Sequence, residues 1–302
     1  MNKNNIIKIY FLETRPHFLI LSVILIFLST SMAFHSGYFN LFFTVLSLIG
    51  LLLLHISTNV LNDYYDYKNG IDFNTNPTPF SGGSGIILSG KLTPKQTLWF
   101  GIISFICAIP IGIFFVFMKG WEILPIFIIG SILVLFYTSY IAKVGMGLSE
   151  ISAGLGLGTL PVLGVYVILN GGFSPNAIYA SIPSGILVFN LLFLNEFPDT
   201  EADRIGGRKT IPIIIGKDKS AILYLILTSL VYVWIIFGTI IKIMPPFTLI
   251  ALFTIPFAIT AIRGAFSHRN RVKLLKAQSS NVIVILLTQF LIGTGYILTI
   301  YI

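Results

Sequence analysis

The run LFFTVLSLIGLLLLHISTNVL (residues 41–61) is followed without a break by Asn62-Asp63-Tyr64-Tyr65-Asp66. The first part is long enough to cross a bilayer as a helix, which needs roughly 20 mainly apolar residues. The second part places amide and acid side chains where such a helix leaves the apolar layer, and ionisable groups there are costly and mark function. Working outward, eight further runs qualify, so the spans are approximately 18–35, 41–63, 98–117, 123–141, 151–169, 177–196, 221–241, 247–263 and 281–302. The run 151–169 is interrupted by Gly154, Gly156, Gly158, Pro161 and Gly164, which membrane helices tolerate when neighbours supply packing. The expected fold is all-α: one polytopic domain over residues 1–302, with nine transmembrane helices bundled around a central cytoplasm-facing pocket.

Composition agrees with a lipid solvent. The 302 residues are 55% hydrophobic and 10% charged, with a mean hydropathy of +0.91, whereas soluble domains carry about 25% charged residues. The single cysteine, Cys107, excludes an intramolecular disulfide. The basic start, Lys3 and Lys8, followed by an apolar run has the look of a signal peptide. Glu13 and Arg15 directly precede that run, and no small-residue cleavage site follows, so it reads as a retained first span.

The loops sort by charge. The N-terminus, the stretches 64–97, 142–150, 197–220 and 264–280, and Arg263 at the edge of the last of them hold all of the 19 lysines and arginines except Lys119 and Lys242. The positive-inside rule puts that side in the cytoplasm, with the N-terminus in and the C-terminus out. The protein is therefore expected to be an integral cell-membrane protein. Topology explains the net charge of +8 without a nucleic-acid partner. Ten of the eleven acids, all but Glu122, share the cytoplasmic side.

The sixth span ends with an echo of the second: Asn195-Glu196-Phe197-Pro198-Asp199, continuing to Asp203. Spacings of three and four put Asn62 with Asp66, and Asn195 with Asp199 and Asp203, on one helix face. Asn195 and Asp199 lie 133 positions after Asn62 and Asp66. Both spans are even-numbered, so both motifs reach the same membrane surface. This suggests a parallel internal repeat, with halves of about 15–145 and 148–280 and active-site loops at 64–97 and 197–220. Two clusters of oxygen ligands suit a hard cation, and Mg²⁺ is commonly held by one or two carboxylates plus phosphates and water. A diphosphate bridged to both clusters by metal ions fits this pattern. Glu201 and Asp218 read as solvated loop acids, and Asn59 as either helix packing or support for the cluster.

These motifs resemble the UbiA superfamily of intramembrane aromatic prenyltransferases. Asn62-Asp63-Tyr64-Tyr65-Asp66 with Asp72 looks like its first Asp-rich motif. Asn195, Asp199 and Asp203, followed by Gly207-Arg208-Lys209-Thr210, look like its second. The stretch from Phe80 to Gly90, the Gly70-Ile71-Asp72 ending, and Tyr137-Thr138 with Lys143 are similar to the branch that prenylates 1,4-dihydroxy-2-naphthoate in menaquinone biosynthesis. The resemblance covers roughly residues 10 to 300. Some positions depart from the pattern. Gly70 stands where much of the superfamily has the last acid of the first motif, and Asp72 comes later, as in the menaquinone-like branch. Pro77 stands where that branch often has Arg, and Gly145 to Glu150 differs by one residue in spacing.

The resemblance implies electrophilic alkylation of an aromatic or lipid acceptor by an allylic prenyl diphosphate, with Mg²⁺ (Mn²⁺ as the alternative) neutralising the departing diphosphate. It implies Asn62, Asp66, Asp199 and Asp203 as metal ligands, Asp72 as a ligand or pocket-closing acid, and Asp63 as a further ligand. Asn195 would orient the diphosphate or a metal ligand. Lys143 is the preferred cationic contact, with Arg208 and Lys209 behind it. The Gly82-Gly83-Ser84-Gly85 run lacks the nucleotide P-loop pattern and reads as a lid that excludes water. Tyr64, Tyr65, Tyr67 and Tyr137 are candidates to shield a cation or to sit as interfacial aromatics. The alternative acceptor is geranylgeranylglyceryl phosphate, in archaeal ether-lipid synthesis. A cation-coupled transporter is the reading from another class, but it calls for charges near the bilayer midplane, whereas these acids cluster at one surface.

Overall fold

Polar caps start several of the long helices. Asn40 accepts a hydrogen bond from the Phe43 amide, Thr93 and Gln96 form a reciprocal capping box, and Asn270 accepts from the Lys273 amide. In the computed structural model, which describes residues 3–302, nine helices among the described residues are long and apolar enough to cross a membrane. They are Pro16–His35, Leu41–Lys68, Pro94–Lys119, Trp121–Val144, Leu148–Asn170, Pro175–Ile205, Lys217–Ile240, Pro246–Phe266 and Arg271–Tyr301, called here the first to ninth spans. Among the described residues there is no strand. A helix not expected from the sequence, Lys3–Glu13, precedes the first span.

The nine spans match the expected ones, but three helices run well beyond their apolar cores. The second continues to Lys68, the sixth to Ile205, and the ninth begins at Arg271 instead of near 281. Hydropathy marks only the lipid-buried part of a helix, while the backbone ladder propagates one bond per residue once nucleated. The motif acids in 64–68 and 197–205, expected in loops, are therefore helical and held in fixed register.

The second span packs lengthwise on the third. The first packs on the fifth and ninth, the sixth on the fifth and seventh, and the ninth on the eighth. A buried apolar cluster, including Leu25, Leu28, Val162, Leu187, Val231 and Ile292, joins the first, fifth, sixth, seventh and ninth spans. The glycine-rich fifth span has a packing reason. A Cβ on Gly158 would lie 2.7 Å from the Ser184 carbonyl oxygen, and one on Gly154 would lie 2.6 Å from that of Gly185. Small residues let the fifth and sixth backbones touch. That close seam sets the position of the acid-bearing end of the sixth span.

Candidate active site

The second and sixth spans present two polar stripes to one cavity of about 820 Å³. On the second span the stripe is His55, Asn59, Asn62 and Asp66; on the sixth it is Asn195, Glu196, Asp199 and Asp203. These are the positions that recur at three- and four-residue spacing. The rest of the wall is mainly apolar and comes from the second to sixth spans, with Phe105, Phe115, Phe127, Leu157 and Leu191 among its residues. The acids gather at one end of the cavity, and the apolar wall fills the remainder.

Two loops close the polar end. After Asp66 the chain turns at Gly70 (φ 76°) into a single helical turn, Ile71–Asn74, which carries Asp72 to the cavity. Burial pushes the Asp72 carboxyl up to about 6, reinforced by the neighbouring Asp66 and opposed by Arg15 and Arg208. The following stretch folds over the mouth through its own hydroxyls. Thr78 Oγ1 accepts the Phe80 and Ser81 amides, and Ser81 Oγ donates to Asp199 Oδ1 at 3.4 Å. Ser84 then donates through its backbone N–H to Asp63 Oδ2 (2.9 Å) and through Oγ to Glu13 Oε2 (2.7 Å). The glycine-rich stretch thus ties both motifs and the N-terminal helix together. Burial pushes the Glu13 carboxyl up to about 7 against the Ser84 bond and the charge of Arg15. Gly83 lies so close to Asp72 that a Cβ there would be 2.8 Å from Oδ1.

The second loop supplies a cation. Residues 206–211 are pinned by the Lys209 amide donating to the Ala142 carbonyl (3.1 Å) and the Ile211 amide donating to Glu150 Oε1 (2.6 Å). That tether turns Arg208 inward, where its guanidinium pairs with Asp66 and, at 2.8 Å, with Asp203 Oδ1. Burial works against this charge, but Asp66 and Asp203 outweigh it and hold the Arg208 pKa above the usual arginine range. One planar fork therefore joins the first motif to the second.

Of the residues expected from the sequence, Asn62, Asp66, Asp72, Asn195, Asp199, Asp203, Tyr137, Arg208 and Gly82 line the cavity. Asn62 Nδ2 donates to Thr138 Oγ1 at 3.2 Å, and Asn195 Oδ1 accepts from Gln278 at 3.3 Å. Others are placed elsewhere. Asp63 is buried beside the cavity in an ion pair with Arg15, which leaves it an anchor for the first span and for Ser84. Lys143 donates to Asn69 Oδ1 at 3.2 Å, tying the ends of the second and fourth spans outside the cavity. Lys209 is exposed, and Gly83 and Ser84 stand behind Gly82. Tyr64, Tyr65 and Tyr67 also lie outside the cavity, where Tyr64 stacks edge-on with Tyr65 and Tyr67 meets Phe73. Two cavity residues were not expected from the sequence. Arg15, at the start of the first span with φ 53°, is a second cation lining the mouth. Glu196 was visible in the second motif without an assigned role.

The donor set suits a hard cation. Carboxylate and amide oxygens dominate the mouth, and among the described residues no three His, Cys, Asp or Glu side chains converge to hold a metal by themselves. Two separated acidic groups, each short of a full shell, match the way Mg²⁺ is shared between a protein carboxylate or two, phosphate oxygens and water. Arg208, lying between Asp66 and Asp203, marks a place where positive charge is already stabilised.

The sequence pattern of the UbiA prenyltransferase family matches residues 22–288. The 1,4-dihydroxy-2-naphthoate octaprenyltransferase of Bacillus subtilis is 27% identical over 289 residues, covering 95% of this chain and 91% of that one. Among solved structures, one described for digeranylgeranylglyceryl phosphate synthase in membranes superposes with a TM-score of 0.67 at 19% identity, covering 97% of this chain and 99% of that one. A UbiA homologue from Archaeoglobus fulgidus, bound to DMAPP and Mg²⁺, superposes with a TM-score of 0.66 at 14% identity, covering 95% and 98%. These structures share the fold.

Proposed function

The chain belongs to the UbiA prenyltransferase family, and from that premise we propose Mg²⁺-dependent transfer of a polyprenyl group from an allylic prenyl diphosphate to an aromatic acceptor such as 1,4-dihydroxy-2-naphthoate. The observation that carries this reading is the pair of acidic stripes at the polar end of an otherwise apolar cavity. Such a shape accepts an amphiphile with an anionic head and a long hydrocarbon tail. Asn62, Asp66, Asp72, Asp199 and Asp203 would hold the metal, and Asn195, Arg208 and Arg15 would orient the diphosphate. When bound, Mg²⁺ supplies neutralisation of charge on the leaving diphosphate.

The chain's own groups do the remaining work. Tyr137 stands beside the head region and can offer a ring face to an allylic cation. The stretch 75–85 excludes water that would otherwise turn that cation into a prenyl alcohol. Ile113, Phe117, Ile128 and Ile132 line the cavity and are also exposed on the outer surface of the bundle, so a tail longer than the cavity has an apolar route into lipid. We place the mouth on the cytoplasmic side, because the basic loops gather at that end.

The deciding experiment incubates purified protein with labelled geranylgeranyl diphosphate, Mg²⁺ and a panel of acceptors. A prenylated naphthoate is expected, and chelation of Mg²⁺ should abolish it. Product with geranylgeranylglyceryl phosphate and none with an aromatic acceptor would replace this reading with the ether-lipid one. The lid has its own test. Gly83→Ala should push Asp72 and the loop apart and raise the share of prenyl alcohol among products several-fold. An unchanged product ratio, measured chromatographically, would remove water exclusion from the role of this loop.

A further inference from the structure

Glu196 has no structural task that accounts for its burial. It lies on the cavity wall, is only 5% exposed, and its Oε2 has no hydrogen-bond partner. An acid left this way in a membrane helix is costly. Its neighbour Glu150, fully buried on the fifth span, is different. Glu150 Oε2 accepts from Ser149 Oγ at 2.6 Å and its Oε1 accepts from the Ile211 amide at 2.6 Å, which fixes the carboxyl in place. Glu150 is the neighbouring acid that acts on Glu196 most strongly. Two acids buried side by side share one proton and carry one negative charge between them. Arg208, Asp203 and Tyr137 are the other ionisable groups that act on the pair.

Position gives this pair its use. Glu196 precedes Asp199 by three residues, so it sits about 4.5 Å further along the sixth span, away from the mouth. A diphosphate held at Asp199 and Asp203 would place its allylic carbon, and the acceptor attacking it, at the level of Glu196. We propose that Glu196 is the catalytic base, taking the acceptor's hydroxyl proton on its free Oε2 as the new bond forms. This rests on the prenyl-transfer reading above. The acceptor O–H and the donor C1–O bonds break, and a bond forms from the acceptor to C1. The C1–O electron pair leaves on diphosphate. The proton goes to Glu196, whose own proton passes to Glu150, so the pair ends neutral.

The test uses full-length protein in nanodiscs with Mg²⁺, geranylgeranyl diphosphate and each hydroxyl acceptor that the wild type prenylates, starting with 1,4-dihydroxy-2-naphthoate. For Glu196→Gln, kcat for coupled product should fall about 100-fold or more, the range general bases contribute. Prenyl alcohol release should fall less than tenfold, and KM for the donor should stay within threefold. Formate should restore Glu196→Ala at least tenfold, which a structural role would not allow. Coupled turnover of Glu196→Gln within threefold of wild type overturns the proposal. So does a parallel loss of coupled product and alcohol release with no formate rescue. A wild type that prenylates no hydroxyl acceptor overturns instead the functional reading on which this one rests.

Discussion

Asp199→Ala and Asp66→Ala will each lower prenyl transfer at least about a thousandfold while the nine-span bundle stays folded. The two acids lie on different spans and line the same mouth, so each loss removes one side of the place where leaving-group charge is neutralised. Removing a single well-placed electrostatic contact costs about 10²–10³ in rate, and a lost metal ligand adds weakened metal binding. Neither acid anchors the bundle. Asp199 has a single 3.4 Å contact from Ser81, and the partner of Asp66, Arg208, keeps Asp203. Turnover at saturating Mg²⁺, together with an unchanged gel-filtration profile in detergent, checks this. Retention of most activity by either variant would remove the two-sided clamp.

Arg208→Ala will produce the second-largest effect, and it will act on stability as well as rate. The guanidinium is only 15% exposed and neutralises Asp66 and Asp203 together. Breaking a buried pair by removing one partner leaves uncompensated charge, with a cost on the order of 3 kcal/mol. Thermal unfolding without Mg²⁺ should show that loss, and Mg²⁺ with a prenyl diphosphate analogue should recover more stability in the variant than in wild type. Arg208→Lys keeps the charge but not the fork, so it should fall between the two. A variant as stable as wild type without Mg²⁺ would mean that the acids at the mouth are neutral and need no counter-charge.

Helical phase made the paired stripes legible but did not settle every member of them. Asp63 follows Asn62 by one residue and is therefore rotated about 100° from the stripe, which agrees with its place in the ion pair with Arg15. Glu196 follows Asn195 by one residue just as Asp63 follows Asn62, so phase alone did not separate Glu196, which lines the cavity, from Asp63, which does not. Lys143 and Arg208 could not be ranked this way. Both are loop-proximal cations, and the choice depended on which loop the backbone tethers at Ala142 and Glu150 turn inward. Arg15 gave no signal beyond a charge at a helix start.

By itself, the sequence determined nine apolar helices and two matched acidic motifs on even-numbered spans. Hydropathy and the 3.6-residue period are local properties, carried by residues within a few turns of one another. Only the tertiary structure decided which cation meets which acid. Arg208 and Asp66 are 142 residues apart, and the Ser84 and Glu13 side chains that latch the loop are 71 apart. Such partnerships depend on how helices pack and loops return, and no local pattern along the chain encodes that geometry.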